Sequence, residues 1–380
     1  MNKDNTPQTP GIPEPLMQYI KAQENPKKFQ IGFGDIKKPQ DFPGVFEYKE
    51  GSDKLSQNPS NVKNYVERCL GLVKVFNTSI GGLEFINPES GYRHSRKHVR
   101  IEVLGYFVRQ WDKDPSRICK TYLESEQDAI RYSPLLIQGY QEPWDGVPRV
   151  DKYIDLLEWD PAYEPPVTMK KDGTFMSGQE WKRFALRAWL VNCWKRTECT
   201  MSGSSDIPEN KMIILCAGGC EDDLAQWVQG LYQPYLNGAM VMTSRLENDA
   251  SFNKFVTVCP MVYFYGMDRL TKTKNRNSRL NVLLTRNGID FRDPYSRDFT
   301  HYRATSSFIG SAVNYNLAKL ADSSPHRVLL HVRRPNTEGL NPHSNTQFWA
   351  EVRHLAETAE PEEYSFKPFE PSIRQCNRFA

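Results

Sequence analysis

Apolar positions are sparse over the first sixty residues and become periodic from Asn61 onward. Within that first stretch only IPEPLMQYIKA has the spacing of a short helix. VKNYVERCLG carries its apolar residues at helical intervals, and VKVFNTSIGGLEFINP reads as a hairpin turning at 79–82. HVRIEVLGYFVRQW and SRICKTYLESEQDAIRY return to a helical period, with Val103, Phe107 and Trp111 sharing one face. Proline and glycine then break the pattern through SPLLIQGYQEPWDGVPRVDKY, which places a domain junction at 140–150. In GQEWKRFALRAWLVNCWKR the apolar positions Trp181, Phe184, Leu186, Trp189, Leu190 and Trp194 fall on several sides, as expected of a largely buried helix.

Beyond that helix, short apolar runs alternate with amphipathic segments. KMIILCA, VTVCPMVYFYGM, ATSSFIGSAVN and HRVLLHV are expected strands, and DDLAQWVQGLY, SRLNVLLTR and NTQFWAEVRHLAETAE expected helices. Strands separated by helices predict an α/β domain, a parallel sheet with helices on its faces. The expected organisation is a largely extended or disordered segment at 1–60 and a small α+β domain at 61–140. An α/β domain at 141–360 and a tail at 361–380 complete it.

Composition narrows the function classes. A chain of 380 residues with 39% hydrophobic and 12% aromatic residues can build two cores. The net charge of +3 makes nucleic-acid binding a matter of local clusters, not of the whole surface. Eight cysteines without a CxxC pair are expected to be free thiols, neither a disulfide framework nor a zinc site. No apolar run reaches membrane length, and MNKDNTPQTPGIPEP has no apolar signal core. A cytoplasmic protein without membrane partners is expected.

One stretch points to chemistry. In IILCAGGCEDDLAQW an apolar run leads through Ala217, Gly218 and Gly219 into an amphipathic helix, the layout of a phosphate-binding loop. Such a loop needs a lysine and a hydroxyl at the head of the helix. Here Glu221, Asp222 and Asp223 stand there.

The ordered series WDGVPRVDKY, the strand and loop before DDLAQW, MDRL, LTRNGIDFRDPYSR, and SFIGSAVN before Arg327 resembles the virulence-associated protein E-like family. These are P-loop proteins of bacterial mobile elements and phages, and the resemblance covers roughly residues 60–360. It implies a P-loop NTPase-like (AAA+-type) sheet core and a helicase- or replication-associated ATPase. Matched to the family pattern, Glu221 takes the lysine position, Asp222 and Asp223 take the hydroxyl positions, and Cys220 replaces a glycine while Gly218 is kept. Asp268 stays where the family ligates magnesium, but Arg269 replaces the glutamate that activates water. Asn314 lies where a sensor pair is common, and Arg327 where an arginine could face a neighbour's phosphate.

Two unit charges ~5 Å apart at an effective dielectric of ~20 interact by ~3 kcal/mol. Exchanging lysine for glutamate swings about twice that, so ATP and magnesium binding are expected to be lost or strongly weakened, and no cofactor is expected. The same acids have a structural use, capping free helix amides at ~0.5–1 kcal/mol each. An arginine cannot serve as general base at neutral pH, so hydrolysis is expected to be gone.

Two basic clusters remain: Arg93, Arg96, Lys97 and Arg100 in YRHSRKHVR, and Lys272, Lys274, Arg276 and Arg279 in TKTKNRNSR. Arg292 and Arg297 add to them. They are candidates for phosphate contacts without sequence readout, with Tyr92 and Tyr302 candidates for base stacking. Trp144 is expected to anchor the junction in a core. The leading expectation is an inactive P-loop protein of a mobile element or phage, binding DNA or a replication or mobilisation protein. A weak unconventional ATPase or helicase, and an interaction module that joins active relatives in an oligomer, stay open as alternatives.

Overall fold

The computed structural model describes residues 14–24, 36–78, 81–111, 113–126, 128–163, 175–231, 240–243, 246–247, 250–270, 274–292, 299–313, 326–336, 345–371 and 373. The chain forms two compact units, one holding 1–77, 82–132 and 292–300, the other 78–81, 133–291 and 301–380.

The first unit contains α1 (Glu14–Glu24), α2 (Pro59–Asn64) running into a π-type turn at Tyr65–Cys69, β1 (Val73–Asn77), β2 (Gly82–Asn87) and β3 (Tyr92–His94). These are followed by α3 (Arg96–Gln110), α4 (Ser116–Glu124) and β4 (Ile130–Tyr132). The strands lie in the order β3-β2-β1-β4, with β4 parallel to β1 and the other pairs antiparallel. Val99, Val103, Phe107 and Trp111 of the α3 region are buried with Val62, Val66 and Phe85 in one core. Phe46 and Leu55 belong to that core as well. The stretch expected to be extended therefore contributes packing, with Phe42 and Val45 against this core and Tyr19 buried as well, and the unit's run from residue 82 ends at Tyr132, before the expected boundary.

The second unit contains α5 (Pro134–Gln141), α6 (Val150–Ile154), α7 (Gly178–Ser202), β5 (Met212–Cys216), α8 (Glu221–Gly230), β6 (Met240–Thr243), α9 (Ala250–Val258) and β7 (Met261–Phe264). Then come α10 (Met267–Leu270), α11 (Lys274–Thr285), β8 (Gly288–Arg292) and β9 (Phe299–Arg303), less residues 292 and 299–300 that belong to the first unit, then β10 (Ser307–Ala312), β11 (Arg327–His331) and α12 (Asn345–Thr358). Five strands form an all-parallel sheet in the order β11-β5-β10-β7-β6. Successive strand residues point to opposite faces, and this sheet buries both. Ile213, Leu215, Tyr263, Ile309, Val328 and Leu330 pack with the α7 and α12 tryptophans. Ile214, Cys216, Val262, Phe264, Phe308 and Leu329 pack on the other face with Val256, Leu280, Leu283 and Leu284. Continuous apolar strands with helices on both faces are the signature of a buried parallel sheet.

Helix α7 starts with a capping box, Ser177 with Glu180, and ends at Gly203 in the left-handed region at φ +78. Its Trp189 indole donates to the Phe308 carbonyl at 2.9 Å, fixing the helix to β10. Lys182 is fully buried in this helix and donates to the carbonyls of Ile154 and Leu157.

Three expectations are corrected here. VTVCPMVYFYGM is not one strand: Ala250–Val258 is helix, Pro260 follows, and β7 covers only Met261–Phe264. Proline cannot donate to a ladder, and burial of Val256 and Val258 overrides their β preference. The tail at 361–380 includes Phe366 and Ile373, both buried at 1% exposure against the α7 core. Trp144 is only half-buried, its indole donating to the Val147 carbonyl at 3.1 Å.

Candidate functional site

In open α/β sheets, functional groups gather beyond the carboxyl ends of the strands, where the connections diverge. Strand β5 is the place to look, since the chain leaves it for β6 at the far edge while β10 and β11 flank it. Cys216 at its end lies opposite Ala312 on one side and His331 on the other. The Cys216 carbonyl accepts from the Val332 amide at 2.9 Å, and the Ala217 amide donates to the Ala312 carbonyl at 3.2 Å. Both neighbouring strands thus fix the root of the loop. Only residues 217–220 separate β5 from α8. Gly218 and Gly219 are exposed, and Gly219 makes the turn at φ +76, where a side chain would be strained.

Glu221 is 7% exposed and points toward the sheet. Its Oε1 is 3.3 Å from the hydroxyl of Ser311 in β10, and the Gly266 backbone amide donates to the carboxylate. Gly266 sits just past β7 at φ +68, and a β-carbon there would approach Glu221 Oε1 to 3.3 Å. Ser311 in turn accepts from the Tyr263 hydroxyl at 2.7 Å. Burial pushes the Glu221 carboxyl above its ordinary range and Asp268 adds to that, while Arg269, the Ser311 hydroxyl and the Gly266 amide pull it back. The Asp268 Oδ1 is buried without a hydrogen bond, and Arg269 is exposed.

The other two acids also reach outside their helix. The Tyr265 hydroxyl donates to Asp222 at 2.8 Å, and this bond to a carboxylate raises the phenol to about 12. Asp223 meets the Arg334 guanidinium at 2.7 Å. The helix has no side-chain cap at Cys220. The three acids occupy its first turn, where they complement the helix dipole. Each carboxylate is engaged by a residue from the end of another strand.

The structure brings Gly218, Gly219, Cys220, Glu221, Asp222, Asp223, Asp268 and Arg269 to one end of the sheet. Arg327 is not there. It pairs with Met212 at the opening of β5, four residues from Cys216, or ~13 Å along the strand. It is wholly buried and donates to Asn281 at 2.6 Å. An arginine wholly buried at the start of a strand does not present its guanidinium to a neighbour's phosphate, and it stands away from the loop of its own chain. Arg334, just past β11, is the arginine that reaches the loop.

Asn314, Lys272 and Arg297 lie outside the described residues, as does the side chain of Lys274. Arg276 and Arg279 on α11 donate to the carbonyls of Arg269 and Leu246, at 3.4 and 3.5 Å. Arg292 is exposed at the end of β8. In the first unit Arg96 and Lys97 are exposed in the first turn of α3, Arg93 is near Glu84 at 3.7 Å, and Arg100 pairs with Glu124 at 3.2 Å. Tyr302 is fully buried and cannot stack on a base. Tyr92 is half-buried beside His94.

Ser311, Tyr263, Tyr265, Gly266 and Arg334 were not anticipated. The signal for Ser311 was a hydroxyl inside the run Phe308–Val313, whose other side chains are apolar or absent. Tyr265 and Arg334 are legible only once the strand ends are known. Among the described residues no group of three or more His, Cys, Asp and Glu side chains is placed to hold a metal. No helix among them is long and apolar enough to cross a membrane.

No family model matches the chain, and no curated protein does. Among solved structures, the apo C-terminal region of NrS-1 is similar at 11% identity, over 85% of this chain and 75% of that one, with a TM-score of 0.41.

Proposed function

We propose that the second unit is a P-loop-type domain of the virulence-associated protein E-like kind whose nucleotide site is filled by its own acids. On this reading the protein serves a DNA transaction of a mobile element or phage, by binding DNA or a replication partner and without hydrolysing ATP. The observation that carries the proposal is the Glu221 carboxylate, buried at the head of α8 and engaged by Ser311 and Gly266. In a phosphate-binding loop that place belongs to the anion, held by the helix amides and a lysine. A carboxylate there satisfies donors and repels a second anion. Asp222 and Asp223 stand beside it, each held by a partner of its own. A reversal of charge worth about 6 kcal/mol corresponds to a loss on the order of ten-thousand-fold in affinity.

The basic residues Arg96, Lys97, Arg276, Arg279 and Arg292 supply the phosphate contacts on this reading. Phosphate contacts of this kind release counterions, so binding falls steeply with salt. The test has two arms. A fluorescent ATP analogue titrated with magnesium shows no saturation below about 1 mM, whereas micromolar saturation overturns the filled-site reading. Filter binding of single- and double-stranded DNA across a salt series shows retention at low salt. Its absence removes DNA and leaves a protein partner.

A further inference from the structure

Helix α3 is apolar on two opposite sides. Val99, Val103 and Phe107 point inward and are fully buried. Ile101 and Val108 lie on the outer side, 63% and 60% exposed, with the partly buried Leu104 between them along the helix. The spacing i, i+3, i+7 places the three on one line, about 10 Å long at 1.5 Å per residue. Gly105, in the same stripe, has open space where a side chain would be.

Nothing in the helix's own requirements explains this face. Ile and Val are weaker helix formers than Leu, Lys or Ala, so an exposed position gains nothing from them by propensity. They add nothing to the unit's core either, since the inward face already fills it. Two turns of apolar anchors at this spacing are the footprint of a partner helix laid along α3.

The charges select the partner. Lys97 lies in the stripe at one end of the helix, and Arg109 flanks it at the other; both are exposed. Arg100 borders the stripe and is already paired with Glu124, and Glu102 is the one acid on α3. A second copy of the chain docking antiparallel through the same face would bring Lys97 against Arg109, like charge on like. DNA would be served by the cations but not by the isoleucine and valine.

We propose that the outer face of α3 docks an acidic amphipathic helix of a partner protein, Ile101, Leu104 and Val108 taking its apolar side and Lys97 and Arg109 its carboxylates. This goes beyond the filled nucleotide site and does not depend on it; Lys97, a phosphate contact on the reading above, is shared, so the helix and DNA would compete for it.

The test uses the full chain and a labelled 18-residue synthetic helix with leucines at i, i+3 and i+7 and glutamates on the flanks, read by fluorescence anisotropy. Saturable micromolar binding is expected, weakened at least tenfold by Ile101→Asp or Val108→Asp and severalfold by Lys97→Glu. Val282→Asp, which alters an equally exposed apolar residue of α11, leaves it unchanged. Thermal melts of the variants establish that they are folded. Equal binding of a scrambled peptide, or indifference to Ile101→Asp in a folded variant, overturns the proposal. So does a wild-type dimer in light scattering that Ile101→Asp dissolves. An oligonucleotide held through Ile101 and Val108 more tightly than the peptide overturns it too.

Discussion

The carboxylate of Glu221 and the hydroxyl of Ser311 lie 3.3 Å apart, joining the head of α8 to the end of β10 in the buried floor of the sheet's carboxyl edge. That pairing makes the site self-contained. It also gives Glu221 a measurable signature.

Because burial raises the Glu221 carboxyl above its ordinary value of 4.5, protons bind the folded state more tightly than the unfolded one. The stability it contributes is complete below 4.5 and is lost as pH rises through the raised value. Glu221→Gln keeps an acceptor and removes the charge. The variant is expected to melt at or above the wild-type temperature at pH 7.5, and the wild type to gain on it as pH falls toward 4.5. Paired thermal melts across that interval decide it. A wild-type advantage that grows toward neutral pH would show the carboxylate to be a net stabilising anion.

Lys182 supplies the opposite sign. Burial lowers its ammonium from 10.5 to about 8, with Asp155 at 3.6 Å opposing that. Between those values the unfolded chain holds a proton that the folded chain has released, so stability rises with pH there. The limit is about 1.4 kcal/mol per pH unit. Relative to Lys182→Met, the wild type is expected to gain between pH 8 and pH 10. At pH 7 the variant, which leaves the Leu157 carbonyl without the Lys182 donor and the Ile154 carbonyl with only the Leu157 amide, is expected to be less stable by ~1–3 kcal/mol. Urea melts at the two pH values check both statements.

Arg327→Ala is expected to act on folding and not on any ligand. The guanidinium is fully buried and bonded to Asn281 of α11, so its removal leaves a cavity and an unpaired amide. A loss of ~2–4 kcal/mol is expected in denaturant unfolding. DNA retention by the variant at a temperature where it is folded should equal that of the wild type.

Two glycines should respond oppositely to alanine. In an exposed helix interior, Gly→Ala stabilises by ~1 kcal/mol through propensity. Gly105 has nothing within 4 Å of a β-carbon, so Gly105→Ala is expected to raise the melting temperature. A β-carbon at Gly139 would stand 2.4 Å from the Trp194 ring and 3.0 Å from the Trp349 carbonyl. Both neighbours are buried, and overpacking costs ~1–3 kcal/mol, so Gly139→Ala is expected to destabilise despite its helical position. Calorimetry of the two variants separates the effects.

The parallel sheet was legible because its strands are uninterrupted apolar runs, and MIILC followed by small residues announced the loop between β5 and α8. Helix α9 was not legible as a helix. Its FVTV end carries β-branched residues, and only packing of Val256 and Val258 against the sheet makes them helical. Strand β4, three residues long, was absorbed into a helical reading of SRICKTYLESEQDAIRY, since its pairing partner β1 lies more than fifty residues earlier. The same limit hid the site's outer half. Glu221 could be placed at the head of its helix from spacing alone. Its partners Ser311, Gly266 and Tyr265 come from strand ends that local periodicity does not bring together, and the choice between Arg327 and Arg334 turned on which end of β11 faces the loop.

A short strap crosses the end of β11. Trp159 bridges Val332 antiparallel, the Asp160 amide donates to the His331 carbonyl at 3.0 Å, and the Arg333 amide donates to the Glu158 carbonyl at 2.9 Å. Backbone groups that would otherwise stand open at a sheet margin are therefore already taken by the chain itself. Recruitment of a foreign strand at that corner would first have to peel the strap away. Assembly by sheet extension is closed off where Arg334 meets the loop, and neighbours must approach that corner by their side chains.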